Sequence, residues 1–194
     1  MRKSFPLKLF MLLLVVQLFS CTNDNENEPS GSDFTLTSAA IEGGFILEAY
    51  KCETKVDGVE NSLPLAWSNA PAAAASFAIS MIHYPNPEDT LNFNSYLELW
   101  GIDKTVTEIP YGEADDGPWL MGANKDQNAI SYTSPCSHGA GTHEYTITIY
   151  ALSETPPSLP LNSSIEVTGQ VLLDALSEVT IIDKAKLVFK SATP

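Results

Sequence analysis

"SYTSPCSHGAGTHEYTITIYAL", residues 131–152, joins a loop bearing a thiol and two imidazoles to a run that alternates with period two. Successive side chains of an extended chain point to opposite faces. His143, Tyr145, Ile147 and Ile149 therefore share one face, and Glu144, Thr146, Thr148 and Tyr150 the other. The run reads as a β-strand with one apolar face, and His143 and Tyr145 stand where that face leaves the core. "SFAISMIHY", residues 76–84, repeats the arrangement, with Phe77, Ile79, Met81 and His83 on one face and Ser76, Ala78 and Ser80 on the other. If these two strands are neighbours, His83, His143 and Tyr145 line the mouth of a pocket.

Further strands follow on either side. "DFTLTSAAI" opens the domain from Asp33, Gly43-Gly44 makes a turn, and "FILEAYKCE" continues as a second strand. Pro64 and Pro71 bracket a short "LAW" strand, and "YLELWGI" from Tyr96 to Ile102 is another. The region from Asp103 to Tyr132 reads as a long polar loop. Its "EADDGPW" lacks the spacing of an EF-hand and is taken as a solvated loop. Trp67 and Trp100 belong to the core and Trp119 near the surface. The one persuasive helix has Thr168 as its cap and Val171, Leu172, Ala175, Leu176 and Val179 as its stripe, after which "TIIDKAKLVF" alternates as a closing strand. Many strands with one late helix predict a mainly β (β-rich α+β) domain, mostly antiparallel.

The beginning of the chain is of another kind. Arg2, Lys3 and Lys8 precede an apolar run from Leu9 to Phe19, the charged and hydrophobic regions of an export signal over residues 1–20. Leu18-Phe19-Ser20-Cys21 resembles the lipobox of bacterial lipoproteins, which makes Cys21 the expected lipidation site. Residues 21–33 are polar and acidic with nothing to bury, as in a disordered tether. Acidic residues just behind such a Cys also resemble surface-export signals of some bacterial lipoproteins. Removing the signal takes away three of the ten Lys and Arg and none of the 24 Asp and Glu, moving the formal charge from −14 to −17. So acidic a chain disfavours nucleic acid and anionic lipid as partners. With Cys21 acylated, Cys52 and Cys136 remain, either as a disulfide or as two buried free thiols.

Reactive chemistry finds little support. Cys136 near His138 or His143 can be written as thiol and base, but a Pro-flanked Cys in an exported domain is more simply structural. A metal set of Cys136, His138, His143 and His83 matches no common zinc spacing. No catalytic residue, metal or cofactor is assigned.

The same residues resemble the phosphatidylethanolamine-binding protein family, in its bacterial Raf-kinase-inhibitor-like branch. The family's loop of Gly-Pro-Cys-Pro-Pro, then His-Arg-Tyr and a strand ending Tyr-Ala-Leu, is similar to Ser134-Pro135-Cys136-Ser137-His138, His143-Glu144-Tyr145 and Tyr150-Ala151-Leu152. "NSLPLAWSNAPAAAASFAI" looks like its Ser-Pro-x-Leu-x-Trp-x-x-x-Pro with a following strand. The likeness runs from about Phe34 to Phe189, within a family-like domain over residues 34–194. It implies a Greek-key, two-sheet antiparallel domain with a C-terminal helix and a small anion-accepting cavity at one end. Pro135, His143 and Tyr145 match the family's cavity residues. His83-Tyr84-Pro85-Asn86-Pro87 replaces its Asp-Pro-Asp-x-Pro, and Tyr96 stands at the His of its His-Trp strand. An imidazole for a carboxylate and a phenol for an imidazole keep hydrogen-bonding capacity but change the charge pattern.

The expectation is a membrane-tethered, non-enzymatic binding domain whose small altered pocket, formed by His83, Tyr96, Pro135, His143 and Tyr145, takes a polar or anionic ligand group. The alternative is a protein-interaction or inhibitor module of the envelope with a vestigial pocket. Either is expected as a lipoprotein of a bacterial outer membrane, periplasmic or surface-exposed.

Overall fold

A computed structural model describes residues 33–55, 58–137 and 139–193. The expected export signal over residues 1–20, the expected lipidation site Cys21, most of the expected linker, Asp57 and His138 lie outside the described residues. In chain order the strands are β1 (Thr35–Thr37), β2 (Ile41–Glu42), β3 (Phe45–Ile46), β4 (Leu65–Ser68), β5 (Ser76–His83), β6 (Asn94–Asp103), β7 (Glu108–Ile109), β8 (Leu120–Met121) and β9 (Gly141–Leu152). Helix α1 (Gly169–Leu176) and strand β10 (Ile181–Thr193) close the chain.

Parity along β5 and β9 decides the layering. The two strands pair antiparallel, Ile79 opposite Ile149 and His83 opposite Tyr145. Their apolar face carries Phe77, Ile79, Met81, Ile147 and Ile149, all 0–1% exposed, and packs into the core shared with Leu36, Leu65 and Trp67. That core lies between a seven-stranded sheet, β2-β3-β10-β9-β5-β6-β8, and a three-stranded one, β1-β4-β7. β9 returns past β6 to lie beside β5, the long-range return of a Greek key. Among the described residues all strand pairings are antiparallel except the parallel match of β3 Phe45 with β10 Lys190.

The opposite face of β5 is also buried, beneath α1. Thr168 accepts a hydrogen bond from the Val171 N–H, and Leu172, Ala175 and Leu176 pack on Ala78, Trp100 and Leu152. The domain is therefore a small sheet, a large sheet and a helix in three layers. Val171, placed in the helix stripe by sequence, is 42% exposed instead, on the rim of so short a helix. "FILEAYKCE" is a strand only at Phe45–Ile46. Glu48–Tyr50 turns as a 3-10 helix, with Lys51 Nζ donating to Glu48 Oε1 at 2.5 Å. Helix-favouring Glu, Ala and Lys and their (i, i+3) pair outweigh the alternation there. The long loop contains β7 and β8, each of two residues and pinned to an edge of a sheet. Trp119 is half-buried, because its Nε1 donates to the Ala114 carbonyl at 2.7 Å and its ring packs on the core.

Covering the second face of β6 buries Glu98, which is 1% exposed and has no hydrogen-bond partner at either carboxyl oxygen. Burial pushes this carboxyl well above its ordinary range. An acid raised in the folded state keeps a proton that the unfolded chain releases, so stability falls as pH rises above about 4.5 and levels off beyond the folded value. Asp115, pushed up to about 6 mainly by burial, contributes the same sign between pH 3.8 and 6. Glu98→Gln is expected to raise Tm at pH 8 by about 3–6 °C, on the scale of 2–4 °C per kcal/mol for a domain of this size. It should leave only the shallower slope below pH 6. Thermal melts across pH 4–8 check this, and equal slopes in both proteins would contradict it.

Candidate functional site

Five rings are brought together by the strand register and one bulge. Tyr145 on β9 lies opposite His83 on β5 and Phe189 on β10. Cross-strand neighbours on one face are close enough to stack. Tyr145 stacks on His83 with centroids 4.9 Å apart and on Phe189 at 5.4 Å. His143, two residues before Tyr145 on the same face, meets His83 edge-on at 5.5 Å. Tyr96 meets Tyr145 edge-on at 5.2 Å, from a bulge in β6 where the pairing to β5 shifts between Met81 and Ile82. That bulge turns Tyr96 inward as well as Leu97.

The row is tied by hydrogen bonds. His83 Nδ1 donates to the Glu144 carbonyl at 2.9 Å, which fixes its protonated nitrogen. His143 Nε2 lies 2.8 Å from Ser137 Oγ and 3.1 Å from the Gly139 carbonyl. Burial, then the neighbouring Tyr145, raises the Tyr96 phenol above its ordinary value. Tyr145 is raised by burial and partly lowered by its hydrogen bond with Tyr96. Both phenols are neutral at physiological pH and serve as hydrogen-bonding groups.

Tyr96 opens onto a cleft of about 280 Å³ whose wall includes Glu53, Glu60, Lys125, Asp126 and Ser134. The loop containing Ser134 and Cys136 forms one side. Ser134 donates from its N–H and its hydroxyl to Glu60 Oε2, at 2.5 and 2.7 Å, and its Oγ accepts from the Glu53 N–H at 2.9 Å. Cys52 and Cys136 are joined in a disulfide, Cα atoms 4.6 Å apart, and both line the cleft. The Cys136 sulfur is therefore neither a free nucleophile nor a free ligand. The Cys52 N–H also donates to the Pro135 carbonyl at 3.3 Å.

Charge in the cleft is negative. Glu53, Glu60 and Asp126 face one Lys125, which pairs with Asp126. Behind the loop the Tyr132 hydroxyl is buried without a partner, and after burial itself Glu60 and Glu53 contribute most to raising its phenol. Among the described residues no group of three or more His, Cys, Asp or Glu is placed to hold a metal ion.

Of the residues singled out from sequence, His83, Tyr96, His143 and Tyr145 come together in one row. Pro135 does not join it: buried in the same loop, it faces a groove beside Lys51 and Thr193. Tyr145 is 1% exposed, so it supports the row from within and is not itself at a lip. Glu53, Glu60, Lys125 and Asp126 were missed. They sit in separate loops with no shared period or spacing, and only the folded chain gathers them.

The fold and this loop define a class. A sequence model of the phosphatidylethanolamine-binding protein family matches residues 37–191, and the chain belongs to that family. UPF0098 protein Rv1910c of Mycobacterium tuberculosis and UPF0098 protein Mb1945c of Mycobacterium bovis are each 30% identical to it over 131 residues. That stretch is 66% of this chain and spans 59% of the length of those relatives. Two crystal structures share the fold: CT736 of Chlamydia trachomatis, described as a phosphatidylethanolamine-binding protein homologue, and Escherichia coli YbcL, described as a new member of the mammalian family. The first is 24% identical with TM-score 0.67, covering 84% of this chain and 100% of its own. The second is 22% identical with TM-score 0.67, covering 83% and 99%.

Proposed function

We propose that this chain is a lipid-tethered, non-enzymatic binding domain that holds a small polar group in the cleft between Tyr96 and the disulfide-bonded loop. The observation that carries the reading is the juxtaposition of the neutral Tyr96 phenol with Glu53, Glu60 and Asp126 around one Lys125. Three carboxylates against one ammonium weigh against a bare anion and favour a cationic or zwitterionic group, whose positive end meets Glu53 and Glu60. The family's name points to one such group, the ethanolamine phosphate headgroup, as a first probe. Anchoring through Cys21 would hold the domain at a bacterial outer membrane, on its periplasmic or its outer side, with the acidic tether as spacer.

The second reading, a protein-interaction module with a vestigial pocket, has one observation in its favour: the imidazoles of the ring row already have partners within the fold. A thermal-shift series with O-phosphoethanolamine, ethanolamine, citrate and inorganic phosphate separates the two. Ligand at ten times Kd stabilises by about 1.4 kcal/mol, a rise of about 3–5 °C. The expected result is a rise with ethanolamine or O-phosphoethanolamine that Glu60→Gln removes, since that change keeps an acceptor for Ser134 and deletes the charge. No response to any of the four, with an envelope protein recovered on the immobilised domain, would favour the interaction module.

A further inference from the structure

On the α1 side of the large sheet, the 85–95 loop, Lys125, Gln127 and the start of α1 enclose a second cleft of about 390 Å³. That volume falls within the roughly 300–1,000 Å³ typical of small-molecule sites. Ser95 opens onto it, and the β6 register places Ser95 on the same face as Glu98, whose buried carboxyl oxygens have no partner.

The wall holds the carboxamides of Asn86, Asn92, Asn94, Gln127 and Gln170 and no carboxylate, in a chain with 24 acidic residues. Three of the amides are held from behind by one atom. Asn92 Nδ2 donates to Asp89 Oδ2 at 2.6 Å and leaves Oδ1 available. Gln170 Nε2 donates to Asp174 Oδ1 at 2.8 Å and leaves Oε1. Asn86 Oδ1 accepts from the Glu88 N–H at 3.1 Å and leaves Nδ2. Orientation is thus settled before a ligand arrives, with both donors and acceptors on offer.

The start of α1 adds to this set. Thr168 accepts from the Val171 N–H, so the N–H groups of Gly169 and Gln170 remain for another acceptor. A Cβ on Gly169 would come within 2.6 Å of Ser95 Cβ and 2.9 Å of the Phe93 ring, so glycine is what seats the helix against this wall. Pro85, Leu91 and Phe93 supply an apolar side.

We propose that this cleft is a second binding site, for a neutral sugar ring. Each sugar hydroxyl both donates and accepts, as the wall's carboxamides and serine do, and the C–H face of a pyranose suits the apolar side. A free anion is the poorer occupant. Lys125 is paired with Asp126, and a formal charge of −14 repels anions on approach.

Amide NMR of the 15N-labelled protein titrated with methyl α-D-glucopyranoside, methyl α-D-mannopyranoside and N-acetylglucosamine tests this, with inorganic phosphate as the charged control. At least one sugar should shift the Gly169, Gln170 and Lys125 signals saturably. Gln170→Ala, an exposed change to a better helix former, should weaken that binding about fivefold, as for one neutral hydrogen bond, with Tm unchanged. Saturable shifts indifferent to Gln170→Ala would overturn the assignment. So would no saturable shift from any of the three sugars, or shifts at the same amides from phosphate alone that Lys125→Ala abolishes.

Discussion

Replacing both Cys52 and Cys136 by serine lowers Tm by about 10–15 °C. The two are separated by 84 residues. Freeing a loop of that length in the unfolded chain corresponds to about 4.5 kcal/mol on the chain-entropy account, and a domain of this size shifts about 2–4 °C per kcal/mol. The bond ties the turn at Cys52, a non-glycine residue with φ of 49°, to the loop that forms one wall of the Tyr96 cleft. Ser134 hydrogen bonds to Glu53 and Glu60 remain when the bond is gone. The folded variant therefore keeps the loop's general course and loses its rigidity. Thermal melts with and without reductant measure the effect, and a shift below about 3 °C would mean that the bond adds little beyond the loop's own contacts.

Tyr145→Ala has an effect of similar size for a different reason. The ring is 1% exposed and packs between His83 and Phe189 with Tyr96 against its edge. Truncating a buried aromatic leaves a cavity and costs about 3–5 kcal/mol. Tyr145→Phe keeps the stack and loses only the hydroxyl, a change of about 1 kcal/mol at most. The imidazole proton signals of His83 should move in the alanine variant and hardly in the phenylalanine one. If alanine costs no more than phenylalanine, the row is not packed as described.

Legibility of the fold tracked how strongly each segment's pattern was tied to burial. β5 and β9 are long, and one face of each meets the core, so alternation alone placed Phe77, Ile79, Ile147 and Ile149 inward and carried His83, His143 and Tyr145 to the strand ends. Thr168 announced the helix because a side-chain cap is a local device. Where local preferences compete, pattern reading failed: Glu48–Tyr50 turns where alternation predicted strand. The burial of Ser80 and Glu98 was equally hidden, since polar residues on alternate positions read as a solvated face and only α1 with its preceding loop covers them. The candidate site was half legible. Its ring row follows strand parity, whereas its carboxylates come from loops whose meeting depends on the Cys52–Cys136 bond and on Ser134.

A cationic or zwitterionic group in the cleft beside Tyr96, as proposed, is detected by amide NMR of the 15N-labelled protein titrated with O-phosphoethanolamine. Saturable shifts at Glu53, Tyr96, Thr133 and Ser134, lost in Glu60→Gln and absent with inorganic phosphate, are the result predicted. Shifts with phosphate alone, or a titration that leaves those four signals in place, would contradict it.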